Sequence, residues 1–270
     1  MAMSDEIKEQ IDSLKGKGWK AKWQWFVDYE LVKVLIIAAV VIMIVAVVYQ
    51  SVTSVPYVFG VVFVNAAADE DQTEELEDDF AEYIELDQSQ GELMIDLTES
   101  MSVGDSQDIY DLYTNEALIV KIAAEEIDVW VSDAYTFENY LSNDMFMDLR
   151  DILDEEQIEK YEDLFYYVDQ PVLTEEEEEA QEQAELEEAS NTENTVSSEE
   201  AYASMELDSF VYPDPSTMEN PVPVGIVCNS AAYIEDHHNY DTYVCVMGVI
   251  ANTEYPDVCS EFIEYLFENP

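Results

Sequence analysis

An α/β fold, with a sheet covered by helices on both faces and one apolar helix leading into it, is what the sequence predicts, and three observations carry that reading. Apolar, β-branched runs begin near residues 57, 92 and 127, about 35 residues apart, which is the length of a strand–helix–strand unit. Their near-continuous hydrophobicity suits strands buried on both faces of a parallel sheet. An uncharged stretch over 34–49 precedes all of them.

Residues 1–30 place Ile7, Ile11, Leu14, Trp19, Trp23 and Phe26 at helical spacing with lysines between them. That pattern fits an amphipathic cytoplasmic tail on the inner membrane face, or a short solvated tail leading into the span. Residues 31–53 are read as one transmembrane helix, since about 20 apolar residues cross a bilayer and Lys33 can snorkel. Trp23, Trp25, Phe26 and Tyr29 before it, and Tyr49 and Tyr57 after it, sit where interfacial aromatic belts belong. Lys8, Lys15, Lys17, Lys20, Lys22 and Lys33 all lie on the amino side. The positive-inside rule then makes this a single-pass protein of the cell membrane, amino terminus cytoplasmic and the rest extracellular. A signal peptide cleaved near 52–54 is the competing reading; the long preface and long apolar run count against it.

Residues 54–172 are expected to form an extracellular α/β lobe. Strands are predicted over 57–66, 92–97 and 127–132. A helix over 74–86 carries Leu76, Phe80, Tyr83 and Ile84 on one stripe, and another has Ile109, Leu112, Leu118, Ile119 and Ile122 at core spacing. A short helix on Phe137, Tyr140 and Leu141 follows, then a loop with Met145 and Phe146, and a helix from about 154. Asp128 reads as a surface residue at a strand start. Right-handed crossovers would make the sheet parallel. Residues 173–205 form an acidic low-complexity loop, predicted to be a disordered spacer. Residues 206–270 complete the domain with strands at 221–229 and 241–252 and a closing helix over 255–268, Pro256 in its first turn.

The net charge is −54, from 9 basic and 63 acidic residues, and beyond residue 33 only Lys121, Arg150 and Lys160 are basic. A polyanionic surface repels nucleic acid, so no nucleic-acid partner is expected. The charge suits a domain outside a cell, near cations or a charged wall, or one adapted to salt. Cys228, Cys245 and Cys259 match no zinc spacing. They read as buried free thiols, with a Cys228–Cys245 bridge as the alternative.

Several short stretches resemble the type II solute-binding proteins of ABC importers, and in particular membrane-anchored relatives of these in Gram-positive anaerobes. They are residues 122–128 running into a strand, the Asp133, Phe137, Tyr140 pattern, the "DLRDIL" of 148–153, the "PVGI" of 223–226, and the strand-then-helix of 244–268. The anchor preface "KWQWFVDYELVKVLI" adds to the likeness. The resemblance implies a periplasmic-binding-protein-like type II fold, here with a reduced second lobe because so few residues remain outside the membrane.

Ser132 and Asp133 end a strand and open a helix, the place where open α/β sheets bind ligands. Candidate ligand-binding residues are therefore Ser132 and Asp133 at the helix start, Tyr135 as a stacking face and Trp130 as a cleft wall; the structural alternative makes Asp133 a helix cap and Trp130 core. "YIEDHHNYD" at 233–241 gathers Glu235, Asp236, His237, His238 and Asp241, but adjacent histidines point apart, so a polar loop is favoured over a metal site. No nucleophile elbow, zincin, Walker or dinucleotide motif occurs. No catalytic residue, metal or cofactor is assigned, and the chain is read as a non-enzyme. The expected function is a membrane-anchored, solute-binding-like module, its partners the bilayer and a small solute. The alternative is a non-catalytic assembly subunit of a cell-surface membrane complex, and an acidic hydrolase ranks last.

Overall fold

The computed structural model describes residues 18–20, 23, 26–27, 31–53, 57–86, 91–106, 108–141, 145–170 and 196–269. They fall into two units, residues 1–55 and 56–270. The first holds helix α1, Leu31–Thr53, with 23 residues and Lys33 as its one charge. Large apolar side chains are exposed at consecutive positions around it, among them Val32, Leu35, Ile36, Ile37, Val40, Val41 and Ile42. Among the described residues no helix is long and apolar enough to cross a membrane, although the α1 backbone continues to Thr53. Before it, Trp23 lies 6.2 Å from Trp19 and 5.6 Å from Phe26.

The second unit is an α/β domain on one mixed six-stranded sheet. In chain order its elements are β1 (Tyr57–Val64), α2 (Glu70–Tyr83), β2 (Glu92–Glu99), α3 (Ile109–Ala123), β3 (Val129–Asp133), α4 (Ala134–Asn139), α5 (Glu155–Tyr161), β4 (Phe165–Asp169), α6 (Ser198–Met205), β5 (Pro221–Val227), α7 (Ala232–Asp236), β6 (Cys245–Val249) and α8 (Pro256–Glu268). Helix starts are fixed by side chains. Asp69 with Gln72, Asp108 with Asp111, Asp154 with Gln157 and Ser197 with Glu200 each form a reciprocal capping box.

The strand order is β2-β1-β3-β6-β5-β4. β1 pairs in parallel with β2 and β3, as the regular spacing predicts. The rest departs from the parallel sheet expected: β6 runs antiparallel to β3, β5 to β6 and β4 to β5. The later connections run over residues 134–164, 170–220 and 228–244, long enough for crossovers, so their length does not dictate the reversed strand directions. β5 and β6 share only two residue pairs, at Ile226 and Val227. Pro221 and Pro223, which lack an N–H, lie at the other end of β5. The described residues contain no second sheet and no second lobe.

The strands alternate between two cores. Phe59, Val61, Phe63, Val129 and Val131 face α2, α5, α7 and α8, where Phe80 meets Phe262 edge-on at 4.9 Å. Val62, Val64 and Trp130 face the side of α3, α4 and α6.

Four further expectations change. Residues 165–169, read as the run-on of a helix, form edge strand β4. The acidic spacer lies outside the described residues through 195, but its last part is α6, with Ala201 and Met205 buried. Asp105 holds that helix by accepting from the backbone N–H and hydroxyl of Ser198 at 2.8 and 2.7 Å. Asp128 is buried, not on the surface. Its carboxylate accepts from the Gly60 N–H at 2.7 Å and from the Thr253 hydroxyl, tying β1 to the turn before α8. Most of the predicted core stripe of α3 also faces outward: only Asp111 and Leu118 of that helix are buried.

Candidate functional site

β1 lies between β2 and β3, so the chain leaves it toward opposite sides and a crevice is expected at the carboxyl ends of β1 and β3. The residues there are Asn65, just past β1, and Asp133, the last of β3. Asn65 adopts the left-handed conformation, φ 63°, which asparagine tolerates better than most residues. Its side chain thereby turns across the strand ends. Asn65 Nδ2 donates to Asp133 Oδ2 at 2.8 Å, and Asn65 Oδ1 accepts from the Met101 N–H at 2.8 Å. Its backbone N–H donates to the Glu99 carbonyl at 2.9 Å. One asparagine therefore ties together the ends of β1, β2 and β3.

Asp133 is 1% exposed. Its Oδ1 accepts from the Thr136 N–H at 2.8 Å and its Oδ2 from the Thr136 hydroxyl at 2.9 Å. It is the cap of α4, and that cap sits inside the protein.

The segment at 233–241 packs against the same end of β1. Tyr240 is buried and its hydroxyl donates to the Val64 carbonyl at 2.7 Å. Burial pushes this phenol far above the ordinary range, with the Cys245 thiol and the Asp133 carboxylate adding to the effect. Asn239 is also buried; Ala67 N–H donates to its carbonyl at 2.8 Å, while its Oδ1 has no described partner.

Of the predicted ligand-binding residues, Trp130, Ser132 and Asp133 are fully buried and Tyr135 is half-buried. Trp130 is a core residue, not a cleft wall. Its indole N–H donates to the Ser132 hydroxyl at 3.0 Å, which donates onward to the Asp133 carbonyl at 3.0 Å. Trp130 also packs 4.5 Å from Tyr140, whose phenol burial pushes up to about 12. Tyr140 Oη donates to Asn115 on α3. The structure thus brings Ser132, Asp133 and Trp130 into one network.

The histidine-rich loop has no metal geometry. His237 Nδ1 lies 3.0 Å from the Tyr233 carbonyl, and exposed His238 pairs with Asp241 at 3.0 Å. Among the described residues no group of three or more His, Cys, Asp or Glu could hold an ion. Cys228 and Cys245 are free thiols, their Sγ atoms 3.0 Å apart. Burial, then the neighbouring Cys228, pushes the Cys245 thiol well above its usual range, and burial pushes Cys259 up to about 12. Neither is a thiolate at neutral pH, so neither is a ready nucleophile.

Sequence reasoning missed Asn65, Thr136 and Tyr240. An asparagine closing an apolar run is a left-handed signal that could have flagged Asn65. Tyr240 is 176 residues from Val64, and no local pattern announces such a pairing. Comparisons with known protein families, with curated proteins and with solved structures found no match.

Proposed function

We propose that the chain is a membrane-anchored, non-catalytic interaction module, its α/β domain a reduced relative of type II solute-binding proteins held outside the cell. The observation that carries this reading is that the polar groups at the ends of β1 and β3 already satisfy one another, with Asn239 Oδ1 the exception beside them. Both carboxylate oxygens of Asp133, both ends of the Asn65 amide and the Tyr240 hydroxyl are engaged with protein partners. A solute would have to displace these bonds from a buried site, each worth about 0.5–1.5 kcal/mol net.

The anchor reading is supported by α1, whose apolar side chains point outward on every side. A helix apolar all round is stable in an apolar surrounding. The six lysines before or at its start and the exposed Trp19 and Trp23 fit the inner boundary of a bilayer. Protease added to intact cells is expected to digest the domain and spare the amino terminus.

A second reading, solute binding, is favoured by strand order alone: the parallel β2-β1-β3 set with its reversal at Asn65 and Asp133 is where α/β folds take ligands. A thermal-shift screen of the full chain against sugars, amino acids, peptides and inorganic ions separates the two. A ligand at 100 times its Kd adds about 2.7 kcal/mol of stability. No such shift is expected. A solute that shifts the midpoint, and loses its effect in Asn65→Asp, would replace the interaction module with a binding protein.

A further inference from the structure

The solvent face of α3 is apolar over half its circumference. Ile109, Tyr110, Leu112, Tyr113, Ile119 and Val120 are all half exposed or more, Tyr110 at 75% and Val120 at 66%. At 100° per residue they fill one continuous arc with Ala117 and Ala123, and Glu116 is the one charge within it. The opposite face, with Asp111, Leu118 and Asn115, holds the helix to the sheet. So large an apolar arc is unusual for a surface helix, and more so in a chain of net charge −54.

We infer that this face pairs with the same face of a second copy, so that the module's partner is itself. The inference deepens the proposed interaction module and rests on it. Two features select a second copy. The six side chains offer an area of the order of the ~800 Å² that each partner gives to a standard interface. Glu116 is the arc's one charge on an otherwise polyanionic surface, so two copies meeting through it keep the rest of their acidic surface in water. An isologous antiparallel pairing about the helix midpoint, residue 116, sets Leu112 against Val120 of the second copy, Tyr113 against Ile119 and Ile109 against Ala123, and brings the two Glu116 side chains together near the axis, where each must turn to the rim to stay in water. Anchoring both copies in one membrane raises their effective concentration.

The test is cross-linking of the full chain in native membranes. Ala117→Cys puts a thiol one position from the midpoint, and Cys228, Cys245 and Cys259 are all buried. A short bismaleimide is expected to convert most of this variant to a species of twice the monomer mass. Glu75→Cys, on α2 under the other sheet face, is expected to give none. Adding Leu112→Glu and Val120→Glu to Ala117→Cys should reduce the adduct at least tenfold. Both side chains are more than half exposed, so circular dichroism should stay unchanged; Ile119→Lys is an independent disruption should the pair misfold. Equal adduct with and without the disrupting substitutions overturns the inference. An adduct of another mass overturns self-pairing and leaves the interaction module standing. A thiol at 117 that fluorescent maleimide labels freely, with no adduct, overturns both.

Discussion

Asp133→Ala removes the group on which the strand-end network converges. In the native chain its carboxylate accepts three hydrogen bonds, from the Thr136 N–H, the Thr136 hydroxyl and the Asn65 amide. Loss of a helix cap costs about 0.5–2 kcal/mol, and the half-buried Asn65 amide, left with only its 3.4 Å contact to the Thr136 hydroxyl, adds about 0.5–1.5 kcal/mol for the lost hydrogen bond. The expected destabilisation is therefore about 1–3.5 kcal/mol, a sizeable part of the roughly 5–15 kcal/mol that holds a domain. Asp133→Asn should recover little. Its amide can present one acceptor to the Thr136 N–H, but its NH₂ then meets the NH₂ of Asn65. Flipping Asn65 only moves the clash to the Met101 N–H, which needs Asn65 Oδ1. Urea unfolding of the full chain in detergent micelles, followed by circular dichroism, measures both variants. A loss below about 1 kcal/mol for Asp133→Ala, under the sum expected for the cap and the lost Asn65 bond, would refute a structural role and return Asp133 to the candidate ligand site.

Asp128 makes stability depend on pH with a definite sign. Burial raises its pKa, opposed by its bonds to Thr253 and Gly60, so its contribution is fully present below the ordinary carboxylate value, about 3.9, and is lost as pH rises through the folded value. Asp128→Asn, which keeps an acceptor for Gly60, should gain on the wild type as pH rises across that window; a difference that does not change with pH would show that the carboxylate is not desolvated. Glu125, at φ 60° just past α3, should stabilise by about 0.5–1 kcal/mol when replaced by glycine, the cost of a left-handed side chain less glycine's entropy, read as a shift in the urea midpoint. The three thiols should resist iodoacetamide in the native protein and react together on unfolding; mass spectrometry showing early modification of Cys245 would mean that its burial is transient.

Much of the fold could be read from the chain because it is written in short-range patterns. β1, β2 and β6 follow from β-branched runs, and α8 starts at Pro256 and ends at Glu268 as its stripe and proline require. Strand direction was not legible after β3, since antiparallel return depends on connection geometry and not on any single run. The stripe on α3 misled for a related reason. Apolar residues at helical spacing mark a face to be covered, and the sequence does not state whether the cover comes from the same chain. The candidate site was half legible: Ser132 and Asp133 carry a cap signature, whereas Asn65 and Asp133 meet across 68 residues.

That separation bears on how the protein is made. β1 occupies an interior position of the sheet, between β2 and β3, yet it leaves the ribosome first. At about 5–20 residues per second, roughly 3–14 seconds pass between synthesis of Asn65 and of Asp133. Through that interval an eight-residue, uniformly apolar strand has at least one edge open, the template on which strands of other chains add. A nascent chain so ordered has reason to be held by a chaperone until β3 is synthesised. Slowed elongation between residues 65 and 133 should raise aggregation of this protein more than the same delay after β3 has paired.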